Sequence, residues 1–202
     1  MNLPTYFRDI PTLTLQDPLA DMLGAAEGGV LQYRFEDVVK LTGHACPTVA
    51  GAWSMALRGL ACLYPNGLPQ RGGVRVELRG ALEDSTHGVV GAVLGFITGA
   101  AGEGGFKGLG GQQVRRGLLS YNAPIDAAVR LSRVDTGAAA LLDYHAEVVA
   151  PAPEIAGLMA RMLGGTASEA ERTSFATLWQ DRLRRILVSH AEDPALVTCR
   201  KV

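Results

Sequence analysis

The chain lacks a charge excess. Its 19 basic and 20 acidic residues leave a formal net charge of −1, and no basic patch stands out, so nucleic acid is not an expected partner. Cysteine is scarce too. Cys46, Cys62 and Cys199 are widely spaced and odd in number, which argues against a disulfide framework and fits a reducing compartment. The first nine residues lack the basic and apolar regions of a signal peptide, so a cytoplasmic location is expected. The run Ser85–Gly102 carries no formal charge unless His87 is protonated, and it approaches the length of a membrane span. It contains Ser, Thr, His and several glycines and has no flanking aromatic belt. It therefore reads as a buried helix, and no membrane is expected. Repeats are absent. Hydrophobic residues make up 48% of the 202, enough to fill a core.

The patterning that is present suggests three parts: an arm and short helix over 1–34, an α+β domain over 35–150 and a helical extension over 151–202. Asp17-Pro18 opens a helical pattern that Gly28-Gly29 ends. Helices are expected over Phe35–Lys40 and Pro47–Leu63, where Val49, Trp53, Leu57 and Leu60 recur at helical spacing. Val74-Arg75-Val76-Glu77-Leu78-Arg79 alternates strictly and reads as a half-buried strand. Asp84 or Ser85 can cap the next helix. Its glycines at 88, 91, 95, 99 and 102 form one stripe, which suits close backbone approach to a neighbouring helix or sheet. Strands are expected over Arg116–Asn122, Ala127–Val134 and Leu141–Val149, although Ala138–Leu142 also suits a helix. After Pro151 and Pro153 the tail reads as two helices, Glu154–Leu163 and one opened by the capping-box pair Ser168 and Glu171. The second carries an apolar stripe from Phe175 to Leu187. The stripe makes a homodimer expected, and Arg182, Arg184 and Arg185 form a basic face that a partner helix could meet.

The segment Gly43-His44-Ala45-Cys46-Pro47 is the richest in chemistry. Proline suits the first position of a helix, so Cys46 falls at a helix N-terminus, where free N–H groups and the helix dipole stabilise negative charge. An imidazole and a thiol two residues apart are good zinc ligands, but zinc takes three or four. His87 is the third candidate. It opens the next helix, and in an α-β-α unit the two N-termini can converge; a polar cap is its plainer reading. Glu83 and Asp84 are possible further ligands or acceptors that orient a histidine. Without metal, Cys46 becomes a candidate nucleophile. Asp143, His145 and Glu147 would share one strand face, usually a solvated one. Cys62 reads as core and Cys199 as exposed.

Over 99–111 the chain is glycine-rich. Gly104 and Gly105 could cradle an anion with Lys107 as counter-charge, or the loop could be a tight connection beside a site. It is neither a Walker A motif nor a dinucleotide fingerprint. Ser54 and Ser120 have no histidine partner, so a serine hydrolase is unsupported.

Gly43-His44-Ala45-Cys46-Pro47 followed by a helix resembles the Gly-His-x-Cys-Pro signature of the FmdE-like family, which takes its name from a component of formylmethanofuran dehydrogenase. Thr98-Gly99 and Phe106-Lys107-Gly108-Leu109 are similar to a second family segment, and the likeness spans about residues 35–150. The family carries further metal-binding residues where this chain has Thr42 and Ala100, and a cysteine near the position of His87. The resemblance implies an α+β fold with an α-β-α-β-β-β core and mixed sheet. It also implies a metal site, zinc first, of undefined biochemical role. His44 and Cys46 carry over directly. The expectation is a metal held by His44, Cys46 and His87, with one position open to a small molecule. The alternatives are a non-catalytic small-ligand or partner-binding module, and a thiol protein that uses Cys46.

Overall fold

In the computed structural model, which describes residues 3–202, a 3-10 turn over Thr5–Asp9 is followed by a ribbon that the sequence pattern does not announce. Leu13–Gln16 (β1) pairs antiparallel with Val30–Tyr33 (β2), and the connection carries the short helix Pro18–Met22 (α1). Asp17 caps α1 as its sequence suggests, its carboxylate accepting from the N–H groups of Leu19 and Ala20. The helix stops well before Gly28-Gly29, because Gly24 already turns into the left-handed region at φ +67°.

Phe35–Thr42 (α2) ends at Gly43, and Pro47–Leu63 (α3) begins at Pro47. Val74–Leu78 (β3) buries Val74, Val76 and Leu78, as the alternation requires. His87–Thr98 (α4) follows, then Leu119–Ser120 (β4), Val129–Arg133 (β5) and Ala139–Tyr144 (β6). The tail forms Ile155–Leu163 (α5), Glu169–Arg184 (α6) with a π turn over Arg185–Ser189, and Val197–Lys201 (β7). The strands lie in the order β4-β3-β5-β6-β7. β4 runs parallel to β3, and every other pair is antiparallel. The fold is α+β with a mixed sheet, and α3-β3-α4-β4-β5-β6 follows the α-β-α-β-β-β order. No helix among the described residues is long and apolar enough to cross a membrane.

Several boundaries differ from the expected ones. β4 keeps only two residues of Arg116–Asn122. β6 starts at Ala139, so Ala138–Leu142 is not helical, and it stops at Tyr144. There the His145 N–H turns to the Leu196 carbonyl and Ala146–Val148 forms a 3-10 turn. Glu147 therefore leaves the strand face it was expected to share with Asp143 and His145. The segment read as a helical extension also supplies β7 to the sheet. Ile10, Leu13 and Leu15 from the arm and Leu183, Ile186 and Leu187 from the tail join one hydrophobic core.

α3 lies on the sheet because two of its residues have no side chain. A Cβ at Gly59 would sit 2.6 Å from Leu131 and 2.7 Å from Leu142, and one at Gly51 would enter the ring of Tyr144. The α4 stripe does permit close approach, but not to a helix. Gly91 receives the Tyr121 hydroxyl, and Gly88 packs on the Leu82 carbonyl.

At the far end of α4 a buried charge cluster ties the arm to the glycine-rich loop. Asp17 accepts from Arg71 at 3.0 Å and from Arg115 at 2.6 Å. Arg71 also donates to the carbonyls of Phe96 and Ile97, and the Gly72 N–H donates to that of Thr98. The last carbonyls of α4 are thus satisfied.

Candidate functional site

The two helix starts do converge. Pro47 and Thr48 of α3 face Thr86 and His87 of the α4 start across a cavity of about 280 Å³. Its floor is apolar, with Met55, Leu78, Val90 and Val129. Tyr144, from the end of β6, closes one side. Cys46 caps α3 and Thr86 caps α4, yet neither side chain bonds a backbone N–H of its helix. Both N-termini therefore present uncapped donors where they meet.

His87 is half-buried. Its ring lies over Gly80, where any Cβ would collide with it. Its Nδ1 lies 2.9 Å from the Asp84 carbonyl. A carbonyl only accepts, so Nδ1 carries the proton and Nε2 is the free nitrogen of the neutral ring. Asp84 thus orients the histidine through its backbone rather than its carboxylate, and neither Asp84 nor Ser85 caps the helix. His44 repeats the arrangement: it is exposed, with Nδ1 2.9 Å from the Thr42 carbonyl. Between them in sequence, Cys46 is half-buried.

Sequence reasoning passed over Tyr144. Its hydroxyl is buried and has no hydrogen-bond partner. Burial pushes the phenol up to about 12, Arg182 pulls it down, and Cys46 and Glu147 push it up. It keeps its proton at neutral pH and is a buried donor without an acceptor. The signal lies in the strand's parity: Asp143 and His145 alternate with Leu142 and Tyr144, and it is the latter pair that faces α3. Asp143 accepts from the Ala128 N–H at 2.7 Å, and His145 lies 3.3 Å from Glu147.

Helix α6 fixes the rim. Trp179 donates to the Ala45 carbonyl at 2.9 Å, inside the His44–Cys46 segment. Arg182 donates to the carbonyls of Ala146 and Val149. Arg184 and Arg185 pair with Asp181. Arg182 is thus engaged within the chain, Arg184 and Arg185 stay partly exposed, and Leu183, Ile186 and Leu187 of the apolar stripe lie in the core.

The glycine-rich loop lies elsewhere. Gly105 N–H bonds the Gly102 carbonyl, and Glu103 pairs with Arg116 at 2.6 Å. Gly104 and Lys107 are exposed.

For a zinc-type ion the donor set is apt: one thiol and two imidazoles, each with Nδ1 already engaged. Among the described residues, no three His, Cys, Asp or Glu side chains gather into one cluster. The residues that would hold the ion are His87, which lines the cavity, Cys46, next to the lining residue Pro47, and exposed His44 two residues before it. No family model matches the chain, and no curated protein matches it.

Proposed function

We propose that this is a cytoplasmic small-molecule-binding protein, akin to the FmdE-like family, that holds a zinc-type ion through Cys46, His87 and His44. One observation carries the reading. Both histidines fix Nδ1 on a backbone carbonyl and offer Nε2, His44 just before the thiol cap of α3 and His87 at the start of α4 across the cavity. Metal-ligating histidines are typically held this way. When bound, such an ion supplies Lewis-acid activation of a carbonyl or a water.

The chain's own residues provide the rest. The apolar floor excludes water from one side of a ligand. The Tyr144 ring forms one wall, its buried, unpaired hydroxyl can donate to a ligand oxygen once the side chain turns toward it, and the starts of α3 and α4 favour a ligand with negative charge at that end. The cavity volume admits only a small molecule.

Metal analysis by mass spectrometry on untagged protein tests the proposal. About one zinc-type ion per chain is expected in the wild type, with loss in Cys46→Ala and His87→Ala and weaker retention in His44→Ala. Metal-free protein from zinc-supplemented cells would overturn it.

A second reading keeps the pocket and drops the metal. It is favoured by the Cys46 thiol, which caps α3 without bonding it. Cys46 then acts as a nucleophile. Iodoacetamide in metal-free buffer would alkylate Cys46 well before Cys62 and Cys199. Equal rates at all three would remove this reading.

A further inference from the structure

Cys62 and Cys199 come from distant parts of the sequence, one near the end of α3 and the other in the last strand. The sheet register brings them together. Cys199 stands directly opposite Leu142 in the antiparallel β6–β7 pair, so the two side chains share one face of the sheet. That face meets α3, because Leu142 packs on Gly59. Cys62 lies three residues beyond Gly59, on the same side of the helix. Both cysteines are half-buried and pack against the core.

We infer that Cys62 and Cys199 are a dithiol that oxidises to a disulfide, stapling the last strand to α3. The oxidant is a small-molecule disulfide of the glutathione class. One thiolate attacks it, forming a mixed disulfide and releasing one glutathione thiol. The second cysteine, as thiolate, then displaces the other glutathione. Two protein thiols lose two protons and two electrons, and one glutathione disulfide becomes two glutathione molecules.

The environment of Cys199 agrees with this pairing. Burial and the adjacent Cys62 push its thiol up to about 12, while Arg58 and Lys201 pull it down. Exchange runs through thiolates, so closure quickens as the pH rises. The bond would close a loop running from α3 to the last strand, and long loops gain most from closure. It would also anchor the strand beside β6, whose last residue is Tyr144.

The test uses the full chain. Native protein is incubated with glutathione disulfide, alkylated, digested without reductant and mapped by mass spectrometry. A peptide linking Cys62 to Cys199 is expected, and its yield should grow with pH. The melting temperature should rise by roughly 5–10 °C and return on addition of dithiothreitol. Cys199→Ser should show neither the link nor the rise. Recovery of Cys62 and Cys199 as free thiols, or as two separate glutathione adducts, would overturn the inference.

Discussion

Helix α4 has two ends that are treated in opposite ways. At its C-terminus the carbonyls of Gly95, Phe96, Ile97 and Thr98 each find a donor, and the arginine that serves two of them is itself held by buried Asp17. At its N-terminus the side chain of the cap residue bonds no backbone N–H, and the neighbouring α3 start is capped by a thiol that bonds none either. A buried hydroxyl and an oriented imidazole stand beside that gap. Folding alone favours satisfying both ends. The contrast sets an end that serves stability against the end where the proposed function places a ligand.

The closed end should dominate stability. Asp17→Ala leaves Arg71 and Arg115 facing each other, with side chains 22% and 7% exposed. A loss of about 3–5 kcal/mol is expected in urea unfolding, with metal content per folded chain unchanged. A loss under ~1 kcal/mol would break the comparison. Burial pushes the Asp17 carboxyl up, but hydrogen bonds from Arg71 and Arg115 outweigh it and hold it below 3.8. Its stabilisation is therefore present above that pH and lost as pH falls through the lower folded value. The part of the acid-unfolding slope due to Asp17 should vanish in Asp17→Asn.

Gly51→Val probes the contact between the α3 core face and the open end. Its side chain would drive into the Tyr144 ring, and overpacking of this kind costs about 1–3 kcal/mol. The same change should displace Tyr144 from the cavity and lower ligand affinity. Unaltered stability would mean that α3 does not rest on β6 at this point.

The smallest effect on stability belongs to Tyr144→Phe. The hydroxyl has no partner, so its removal should change unfolding free energy by less than about 1 kcal/mol, with a gain more expected than a loss. Affinity for a small carboxylate should nevertheless fall, as isothermal titration would read. A clear loss of stability would place a structural bond on this hydroxyl and remove the case for its role as a ligand donor.

Where the sequence is periodic, it was legible. β3 follows from its alternation, α3 from its apolar spacing and its proline, and the α6 start from Ser168 and Glu171, which form the expected capping box. β1 and β2 were not legible, because each is four residues long and a helix, not a tight turn, joins them. β7 was missed because only Val197 is fully buried and its partner strand is remote in sequence. For the site, the meeting of the α3 and α4 starts could be argued from the α-β-α order. The buried Asp17–Arg115 pair could not, since nothing local distinguishes Arg115 from its exposed neighbour Arg116. Tyr144 was within reach had the strand been given its true end.

The central claim is that Cys46 and His87 hold a metal at the open end of α4. Cobalt(II) titration of metal-free protein, followed by visible and near-ultraviolet absorption, tests it most directly. The account predicts saturable thiolate-to-cobalt charge transfer with tetrahedral visible bands, abolished in Cys46→Ala and His87→Ala, weakened in His44→Ala and unchanged in Lys107→Ala. Absence of a charge-transfer band in the wild type, or its survival in Cys46→Ala, would contradict it.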